Sequence, residues 1–448
     1  MEKGKKEIVY IFGLGWLSKF ITYLLLLVLA NYYAVSSYGK ISFVLSIFNL
    51  VLFFSVMGLP NLLVPWMINK KDVSSVFYFL IILNVIFFIA GLFISISYSW
   101  VLPFVIALPF LLFNGIGSAI LCMQYKYHLL RFFNLAWIII TLIFVFLLKD
   151  LDKLGITLGY SLGYLFSSLG IIYLTRKELL KIILDVKLKF PVVFEYIKKG
   201  LIISIIAVSV SIMGWIDTII LGALSTFENV AKYGIASAIS NIVPAIPAAI
   251  SLFLLTRISE LKNSKRSKNI LNRASRISYS FSLLLTIFIA SIMPLLIKIF
   301  FPKYIGIEVY AIILSIGMLF FTFWILSSTY LSGKLEPGKS LFSIVAAASL
   351  NIILDIVLIP KYGLFGICFA TLLANILAFT LLSLKIGHLK NFIWVYPLSF
   401  TILLAYYLKY YGLILILLVI PLLFLLKLIT IEDIKVVLKT VNSIIRFK

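Results

Sequence analysis

The chain has 448 residues, of which 63% are hydrophobic and only 12% are charged. Soluble domains carry about 25% charged residues, so this composition excludes an ordinary soluble protein. The formal net charge is +23, and the two cysteines, Cys122 and Cys368, are too few for a disulfide framework or a thiolate metal site.

Apolar stretches near the length of roughly 20 residues that a helix needs to cross a bilayer recur along the chain. They predict an all-α integral membrane protein with about 14 transmembrane helices. In chain order, the predicted spans are 8–30, 41–67, 76–97, 100–123, 132–148, 155–174, 200–222, 234–256, 277–297, 311–332, 340–359, 365–384, 391–408 and 413–426.

The cationic residues are concentrated in alternate loops between these spans. With a cytoplasmic N-terminus, the inner segments hold 30 of the 39 Lys and Arg residues and the outer loops hold 8, while Lys19 lies inside the first span. This bias predicts a multi-pass protein of the cytoplasmic membrane with both termini cytoplasmic. Because the charge sits in short loops, anionic lipid headgroups explain it better than a nucleic-acid partner, which we do not expect.

A repeated pattern divides the chain. The sequence around Tyr38-Gly39 recurs around Tyr233-Gly234, and Gly15-Trp16 upstream of the first matches Gly214-Trp215 upstream of the second. The repeat predicts two pseudo-symmetric six-helix lobes. The predicted parts are an N-terminal lobe at 1–175, a cytoplasmic linker at 176–199, a C-terminal lobe at 200–385, spans 13 and 14 within 386–430, and a cytoplasmic amphipathic tail at 431–448.

Polar residues line one face of the second span of each lobe. Ser42, Ser46 and Asn49 share a face of span 2, and Ser237 and Asn241 share a face of span 8. Close helix packing is the ordinary explanation for any single serine at such spacing. Recurrence in both lobes favours a shared polar cavity between them.

Three charged residues fall within spans, where each costs about 2.5–3.5 kcal/mol on insertion scales and needs a partner or water. Lys19 either pairs with Asp217 or faces a wet cavity and meets a substrate phosphate. The two interpretations are compatible, because an anionic substrate could displace the Asp217 carboxylate. For Asp355, a structural hydrogen bond to Asn351 or Asn375 is favoured over a binding role.

Signatures of enzymes are missing from the sequence. His128 and His388 fall in separate inner loops, without a carboxylate or thiolate cluster at metal-ligand spacing. No phosphate-binding Gly-Lys-Ser/Thr loop occurs. We therefore predict a carrier rather than an enzyme, with no cofactor and no metal centre.

Several motifs resemble a known family. The run from Asn351 to Gly366, containing Asp355, Pro360 and Gly363, looks like the hallmark of polysaccharide flippases in the multidrug/oligosaccharidyl-lipid/polysaccharide (MOP) exporter superfamily. Further matches are Tyr38-Gly39, Gly58-Leu59-Pro60, the stretch from Asp217 to Gly222, and Phe301-Pro302-Lys303-Tyr304. One departure is Asp355, where the family usually has Asn.

The resemblance implies two lobes arranged in a V, with two added C-terminal helices that form a groove for a lipid tail. It implies alternating access that moves a polyprenyl-(di)phosphate-linked oligosaccharide from the inner to the outer leaflet, alongside membrane enzymes of glycan assembly. The predicted substrate-binding residues are Lys19, Asp217, Ser42, Ser46, Asn49, Ser237, Asn241 and Arg257.

Two alternatives stay open. An ion-coupled multidrug exporter of the same superfamily would carry carboxylates in the first lobe for H⁺ or Na⁺. The first six predicted spans contain no Asp or Glu, although Asp217 in the second lobe could serve. A non-transporting membrane scaffold would need neither Lys19 nor Asp217.

Overall fold

A computed structural model describes residues 2–56, 74–124, 126–184, 214–245, 264–334, 338–387 and 392–431, with a few isolated positions between these ranges. Four features of the sequence lie outside the described residues: Arg257, Gly58-Leu59-Pro60, the linker beyond 184 apart from isolated positions, and the tail beyond Ile431.

The chain folds into two compact units. The N-terminal unit comprises Met1–Leu29 and Val44–Ile216, and the C-terminal unit comprises Ala30–Phe43 and Asp217–Lys448. The short segment at 30–43 therefore belongs to the second unit although it lies early in the sequence.

Among the described residues, six helices contribute to the N-terminal unit, and the first two of them cross into the C-terminal unit at 29/30 and 43/44. Helices α4 and α5 both pack along α6. Helix α6 continues ten residues past its predicted end, so the first part of the predicted linker is helical. The helices are α1 Glu2–Tyr32, α2 Val35–Val56, α3 Ser74–Ser97, α4 Leu102–Met123, α5 Tyr127–Leu147 and α6 Asp152–Leu184.

The C-terminal unit is built around three long helices, with α10 packed between α9 and α11. Shorter helices come before and after these three in the sequence. The helices are α7 Gly214–Leu224, α8 Phe227–Ser240, α9 Ser264–Phe300, α10 Glu308–Gly333, α11 Gly338–Ile386, α12 Val395–Ser399, α13 Thr401–Leu408 and α14 Ile414–Leu425.

Helix α11 contains two of the predicted spans. Its backbone is interrupted at Gly363, which has φ 53° and ψ −124°, a conformation that glycine adopts at little cost. The chain reverses there, after Pro360. The predicted spans 340–359 and 365–384 are thus two helices that meet at Gly363.

Span 8 differs from its prediction as one continuous helix over 234–256. Helix α8 begins at Phe227, where Thr226 caps it by accepting a hydrogen bond from the Asn229 N–H at 3.3 Å, and it ends at Ser240. A turn follows, in which Ile242, Val243 and Ala245 bond to carbonyls three residues back. Pro244 explains the break, because it lacks an N–H and disfavours helical geometry in the residue before it.

Among the described residues, eight helices are long and apolar enough to cross a membrane. Two of them, Gly338–Ile386 and Val395–Leu425, each include two predicted spans. Each described helix overlaps a predicted span, although several bounds differ by many residues, and the described ranges contain no strand. The prediction of an all-α, multi-pass membrane protein is confirmed, while the count of fourteen stays a prediction.

One close contact occurs in both units. A Cβ atom on Gly155, at the start of α6, would lie 1.9 Å from the carbonyl oxygen of Leu148. A Cβ on Gly366 would lie 2.5 Å from the carbonyl oxygen of Leu358. Both glycines let the helix after a turn approach the end of the helix before it, so the same packing contact occurs at two places in the chain.

Helices α12 to α14 are fixed to α9 by polar contacts. The Tyr279 hydroxyl donates to the Val395 carbonyl at 3.2 Å, and the Arg276 guanidinium donates to the Lys427 carbonyl at 3.0 Å. The last two predicted spans are therefore an integral part of the C-terminal unit.

Candidate functional site

Two carboxyl groups lie together in the interior of the C-terminal unit. Asp217 is in α7 and Asp355 is in the first half of α11, and both side chains are 0% exposed. The two groups are neighbours that interact directly with each other. Buried acids in a span are expensive, and they mark ion or proton sites more often than packing sites.

The neighbours of these acids donate hydrogen bonds from neutral groups. The Tyr233 hydroxyl and the Thr371 hydroxyl each donate to Asp217 Oδ2 at 2.7 Å. The Asn351 amide donates to Asp355 Oδ2 at 3.4 Å. Hydroxyl and amide groups orient the two carboxyl groups without neutralising their charge.

Three oxygen atoms in this cluster receive no hydrogen bond from any described residue: Asp217 Oδ1, Asp355 Oδ1 and Asn351 Oδ1. Buried acceptors are normally satisfied, and two adjacent carboxylates cannot both stay charged in a dry interior without compensation. The donor set fits a proton shared by the carboxyl groups, or a small hard cation held by oxygen ligands.

A second layer of hydrogen bonds holds Thr371 in place. Asn375 donates to the Thr371 carbonyl at 3.0 Å, and the Trp324 indole N–H donates to Asn375 Oδ1 at 3.0 Å. Thr371 also donates to the Ile367 carbonyl at 3.0 Å. Outer contacts of this kind fix the orientation of the inner ligands.

Among the residues that the structure describes, the N-terminal unit shows no pair of buried acids like this one. We align the turn before Gly155 with the turn before Gly366, and the first spans on their Gly-Trp pairs. Neutral or apolar side chains then stand at the positions of both acids: Ser18 corresponds to Asp217, Val145 to Asp355, Thr141 to Asn351 and Tyr160 to Thr371. In the described part of the chain, the pair of buried acids is thus a feature of the C-terminal unit.

In the N-terminal unit, polar side chains of α4 form hydrogen bonds with polar side chains of α6. Asn114 donates to the Ser168 hydroxyl at 3.1 Å, and Ser118 donates to Asn114 at 3.1 Å. Towards the end of α4, Gln124 donates to Glu178 at 2.8 Å. These contacts join two helices and leave no charged cluster.

Lys19 lies in α1 of the N-terminal unit, and its side chain is exposed. Arg131, in the first turns of α5, lies within electrostatic reach of the Lys19 ammonium group. Two cations of one unit thus act on each other, an arrangement that an anionic ligand would stabilise.

The structure distributes the other predicted site residues between the units. Ser46 is buried and Asn49 donates to the Leu45 carbonyl at 2.8 Å, both in the N-terminal unit. In the C-terminal unit, Asn241 donates to the Ser237 hydroxyl at 3.4 Å. Ser42 is there as well, with its hydroxyl 3.6 Å from the position of a Cβ on Gly234.

Two partners of Asp217, Tyr233 and Thr371, were not predicted from the sequence, nor was Trp324, which bonds Asn375 in the second layer. Asn375 was considered as a partner of Asp355, but it bonds Trp324 and Thr371 instead. The predicted bond between Asn351 and Asp355 is confirmed. A usable signal was present, because Thr371 and Asn375 lie one helical turn apart in a segment, Phe365 to Phe379, that is otherwise apolar.

Comparison with known sequences gives membrane proteins without an assigned function. No protein-family model matches the chain. A membrane protein of Methanocaldococcus jannaschii described as uncharacterized is 26% identical over 421 residues, which cover 87% of this chain and 99% of that protein. A second uncharacterized membrane protein of that organism is 31% identical over 166 residues, 36% of this chain and 32% of its own length.

Comparison with solved structures defines the fold. The lipid II flippase MurJ in an inward closed conformation matches with a TM-score of 0.72 at 19% identity, over 93% of this chain and 98% of MurJ. A MATE protein in complex with MaD3S matches with a TM-score of 0.62 at 14% identity, over 88% and 97%. The eukaryotic MATE transporter AtDTX14 matches with a TM-score of 0.60 at 14% identity, over 85% and 94%. The chain has the fold shared by MurJ and the MATE transporters of the MOP superfamily.

Proposed function

We propose that this protein is a flippase of the polysaccharide branch of the MOP superfamily. It moves a polyprenyl-(di)phosphate-linked oligosaccharide from the inner to the outer leaflet of the cytoplasmic membrane by alternating access. In this proposal both termini are cytoplasmic, and the neighbouring proteins are membrane enzymes of glycan assembly.

The observation that carries this proposal is the exposed Lys19 in α1. A cation within a span is retained where it meets water, a counter-charge or an anionic ligand. The headgroup of a lipid-linked sugar is anionic and cannot cross the hydrocarbon core of the membrane unaided. The lipid tail can stay in the hydrocarbon core throughout. Lys19, reinforced by Arg131, supplies the counter-charge for the diphosphate. Ser42, Asn49, Ser237 and Asn241 supply hydrogen-bonding groups for the sugar, whereas Ser46 is buried and does not contact it. Arg257 attracts the diphosphate at the cytoplasmic mouth.

The acid pair gives the transporter its energy source in this proposal. Asp217 and Asp355, with Asn351 and Thr371, would hold H⁺ or Na⁺, and the charge of that ion offsets the cost of two buried carboxylates. Because Asp217 is fully buried, it contributes to transport through the ion rather than by direct contact with the sugar.

A second candidate function is an ion-coupled multidrug exporter. It is favoured by the buried acid pair and by the likeness to structures described as multidrug resistance MATE transporters. A drug exporter requires a binding surface for organic cations, which the exposed Lys19 would repel. A flippase function explains both the exposed Lys19 and the buried pair of acids, and we therefore prefer it.

Purified protein in liposomes separates the two functions. Fluorescent polyprenyl-diphosphate oligosaccharide and ethidium, a cationic dye, are offered to the same vesicles under a sodium or proton gradient. The flippase proposal expects the labelled lipid to change leaflet faster than in empty vesicles while the dye stays in place. Gradient-driven movement of the dye without movement of the lipid would establish the exporter instead.

A further inference from the structure

The hydroxyl group of Tyr233 joins α8 to the acid pair. It donates to Asp217 Oδ2 at 2.7 Å, the same oxygen that accepts a hydrogen bond from the Thr371 hydroxyl at 2.7 Å. Asp217 lies in α7, Tyr233 in α8 and Thr371 in the second half of α11. Three helices of the C-terminal unit therefore meet at one carboxyl oxygen, and α8 is one of them.

Apolar side chains make up most of the buried face of α8. Val230, Ile235 and Ile239 are buried, and the helix packs against α10 and α11. The hydrophobic effect is non-directional, so packing of this kind permits small rotations and shifts of a helix. A short hydrogen bond to a carboxyl oxygen is directional, so the Tyr233 hydroxyl fixes the rotation of α8 relative to the acid pair.

One strip of α8 leads from the acid pair to an exposed polar surface. Tyr233, Ser237 and Asn241 follow one another at intervals of four residues, about one helical turn. Tyr233 is 4% exposed, Ser237 is half-buried and Asn241 is exposed. The Asn241 amide donates to the Ser237 hydroxyl at 3.4 Å. A shift at Tyr233 is carried along the helix to these two side chains, over a length of about 12 Å.

Turns bound α8 on both sides. Thr226 caps its first turn, and the chain leaves helical geometry after Ser240, before Pro244. The turn after the helix is attached to α9, where the Ser282 hydroxyl donates to the Val243 carbonyl at 3.0 Å. Residues at the ends of an element absorb changes in backbone angles, so a short helix between two turns can shift as a unit.

We propose that Tyr233 is a positioning residue that couples the acid pair to the polar strip of α8. Asp217 Oδ1 receives no hydrogen bond from any described residue, and it belongs to the same planar group as Oδ2. When Oδ1 turns towards the coupling ion, Oδ2 turns with it, and the Tyr233 hydroxyl follows the oxygen to which it donates. Helix α8 then presents Ser237 and Asn241 in a different position. This inference rests on the proposed function, which assigns those two residues to the sugar.

A purely structural role for the Tyr233 hydroxyl has a matched example in the same unit. Buried tyrosine hydroxyls usually find a hydrogen-bond partner. Tyr279 is 0% exposed, and its hydroxyl donates to the Val395 carbonyl at 3.2 Å. Loss of either hydroxyl removes a buried hydrogen bond. Only the loss at Tyr233 should break the link between the acid pair and α8.

Hydrogen exchange in lipid nanodiscs tests the coupling. The parent protein, Tyr233→Phe and Tyr279→Phe are compared in sodium chloride and in choline chloride, at neutral and at acidic pH, with rates corrected for the intrinsic effect of pH. Exchange is followed in residues 227–245, with α10 as the reference. The melting temperature is measured in the same conditions, because it reports whether the folded protein binds the ion. The part of its response that the double variant Asp217→Asn, Asp355→Asn removes is ascribed to the acid pair.

The coupling predicts a different result for each variant. In the parent protein, the coupling ion should change the exchange rate in residues 227–245 about tenfold, because it changes a bond that holds the helix. Tyr279→Phe should keep this change. Tyr233→Phe should lose it, although its melting temperature still responds to the ion. Thr371→Val, which removes the donor from α11, should keep the change at saturating ion.

The outcomes separate this inference from the proposed function. If the ion altered the parent melting temperature but not exchange in residues 227–245, the inference would be overturned and the ion site would stand. An unaltered response of exchange in Tyr233→Phe would leave its hydroxyl a structural role only. Loss of the melting response in Tyr233→Phe would make Tyr233 part of the ion site rather than a link to α8, which also contradicts the inference. If neither sodium nor pH acted through the acid pair in the parent protein, the proposed ion coupling itself would fail.

Discussion

The two units share helix packing and differ in charge. Each has a glycine after a turn that touches the end of the preceding helix, Gly155 in one and Gly366 in the other. The N-terminal unit combines a neutral hydrogen-bonded contact between α4 and α6 with the exposed Lys19 in α1. The C-terminal unit buries two acids, Asp217 and Asp355. The described parts of the two units thus share a packing contact while their charged side chains differ.

The cost of burial explains why this difference is informative. A bond such as Asn114 to Ser168 satisfies both neutral groups and serves packing alone. Two adjacent buried carboxylates gain nothing from packing and cost free energy unless a cation or proton accompanies them. Under the proposed function, ion binding falls to the C-terminal unit and the counter-charge for the substrate falls to Lys19.

The largest expected effect follows from neutralising the acid pair. The double variant Asp217→Asn, Asp355→Asn keeps the shapes of both side chains and removes the groups that hold the cation. We expect gradient-driven transport to fall at least about a hundredfold, as for loss of an essential buried ligand. We also expect the melting temperature to lose its dependence on sodium or pH, because linkage requires binding to the folded state.

Glu178→Gln is the matched control for this change. It makes the same substitution of amide for carboxylate in the N-terminal unit, at the residue that accepts a hydrogen bond from Gln124. We expect transport and the cation effect on melting to match those of the parent protein. Equal losses in both variants would remove the distinction between the units.

The glycines test the part of the comparison that is symmetric. Gly155→Ala and Gly366→Ala each place a methyl group against a backbone carbonyl, and each should destabilise the protein by about 3 kcal/mol. Gly338→Ala is the control, since a Cβ there meets no atom within 4 Å. Unfolding in a denaturing detergent measures all three. Sensitivity at only one of the two glycines would show that the packing of the units has diverged as well.

A smaller effect is expected from the hydroxyl groups. Thr371→Val removes one of the two donors to Asp217 Oδ2, and it should shift the cation concentration needed for half-maximal stabilisation about fivefold. Ser168→Ala, in the N-terminal unit, should lower stability by about 0.6 kcal/mol and leave the cation response unchanged. If Ser168→Ala altered the cation response and Thr371→Val did not, the ion site would lie in the N-terminal unit, contrary to the proposal.

The sequence predicted the helices well and the acid pair only in part. Apolar length located the described helices, and the turn at Gly363 follows from Pro360 and two glycines. The bond from Asn351 to Asp355 could be predicted because the residues lie one helical turn apart. Asp217 and Asp355 are distant in sequence, so only tertiary packing brings them together. The break after Ser240 was missed because apolar residues continue through Pro244.

The contact of the Phe301-Pro302-Lys303-Tyr304 motif with the end of α1 shows a different limit of sequence reasoning. The Phe301-Pro302-Lys303-Tyr304 motif was visible, but no periodicity relates it to residues 30–43. Its partners are backbone carbonyls at the end of α1, which carry no sequence signal of their own. Only the three-dimensional contact reveals what the motif holds.

The most direct test of the central claim is leaflet exchange of labelled polyprenyl-diphosphate oligosaccharide by Lys19→Met in liposomes. This change keeps much of the side-chain length and removes the charge, and Lys19→Arg keeps the charge with a different geometry. The account predicts that Lys19→Met abolishes exchange while folding and the cation effect on melting are retained, and that Lys19→Arg keeps part of the activity. Normal exchange by Lys19→Met would contradict the assignment of Lys19 to the substrate.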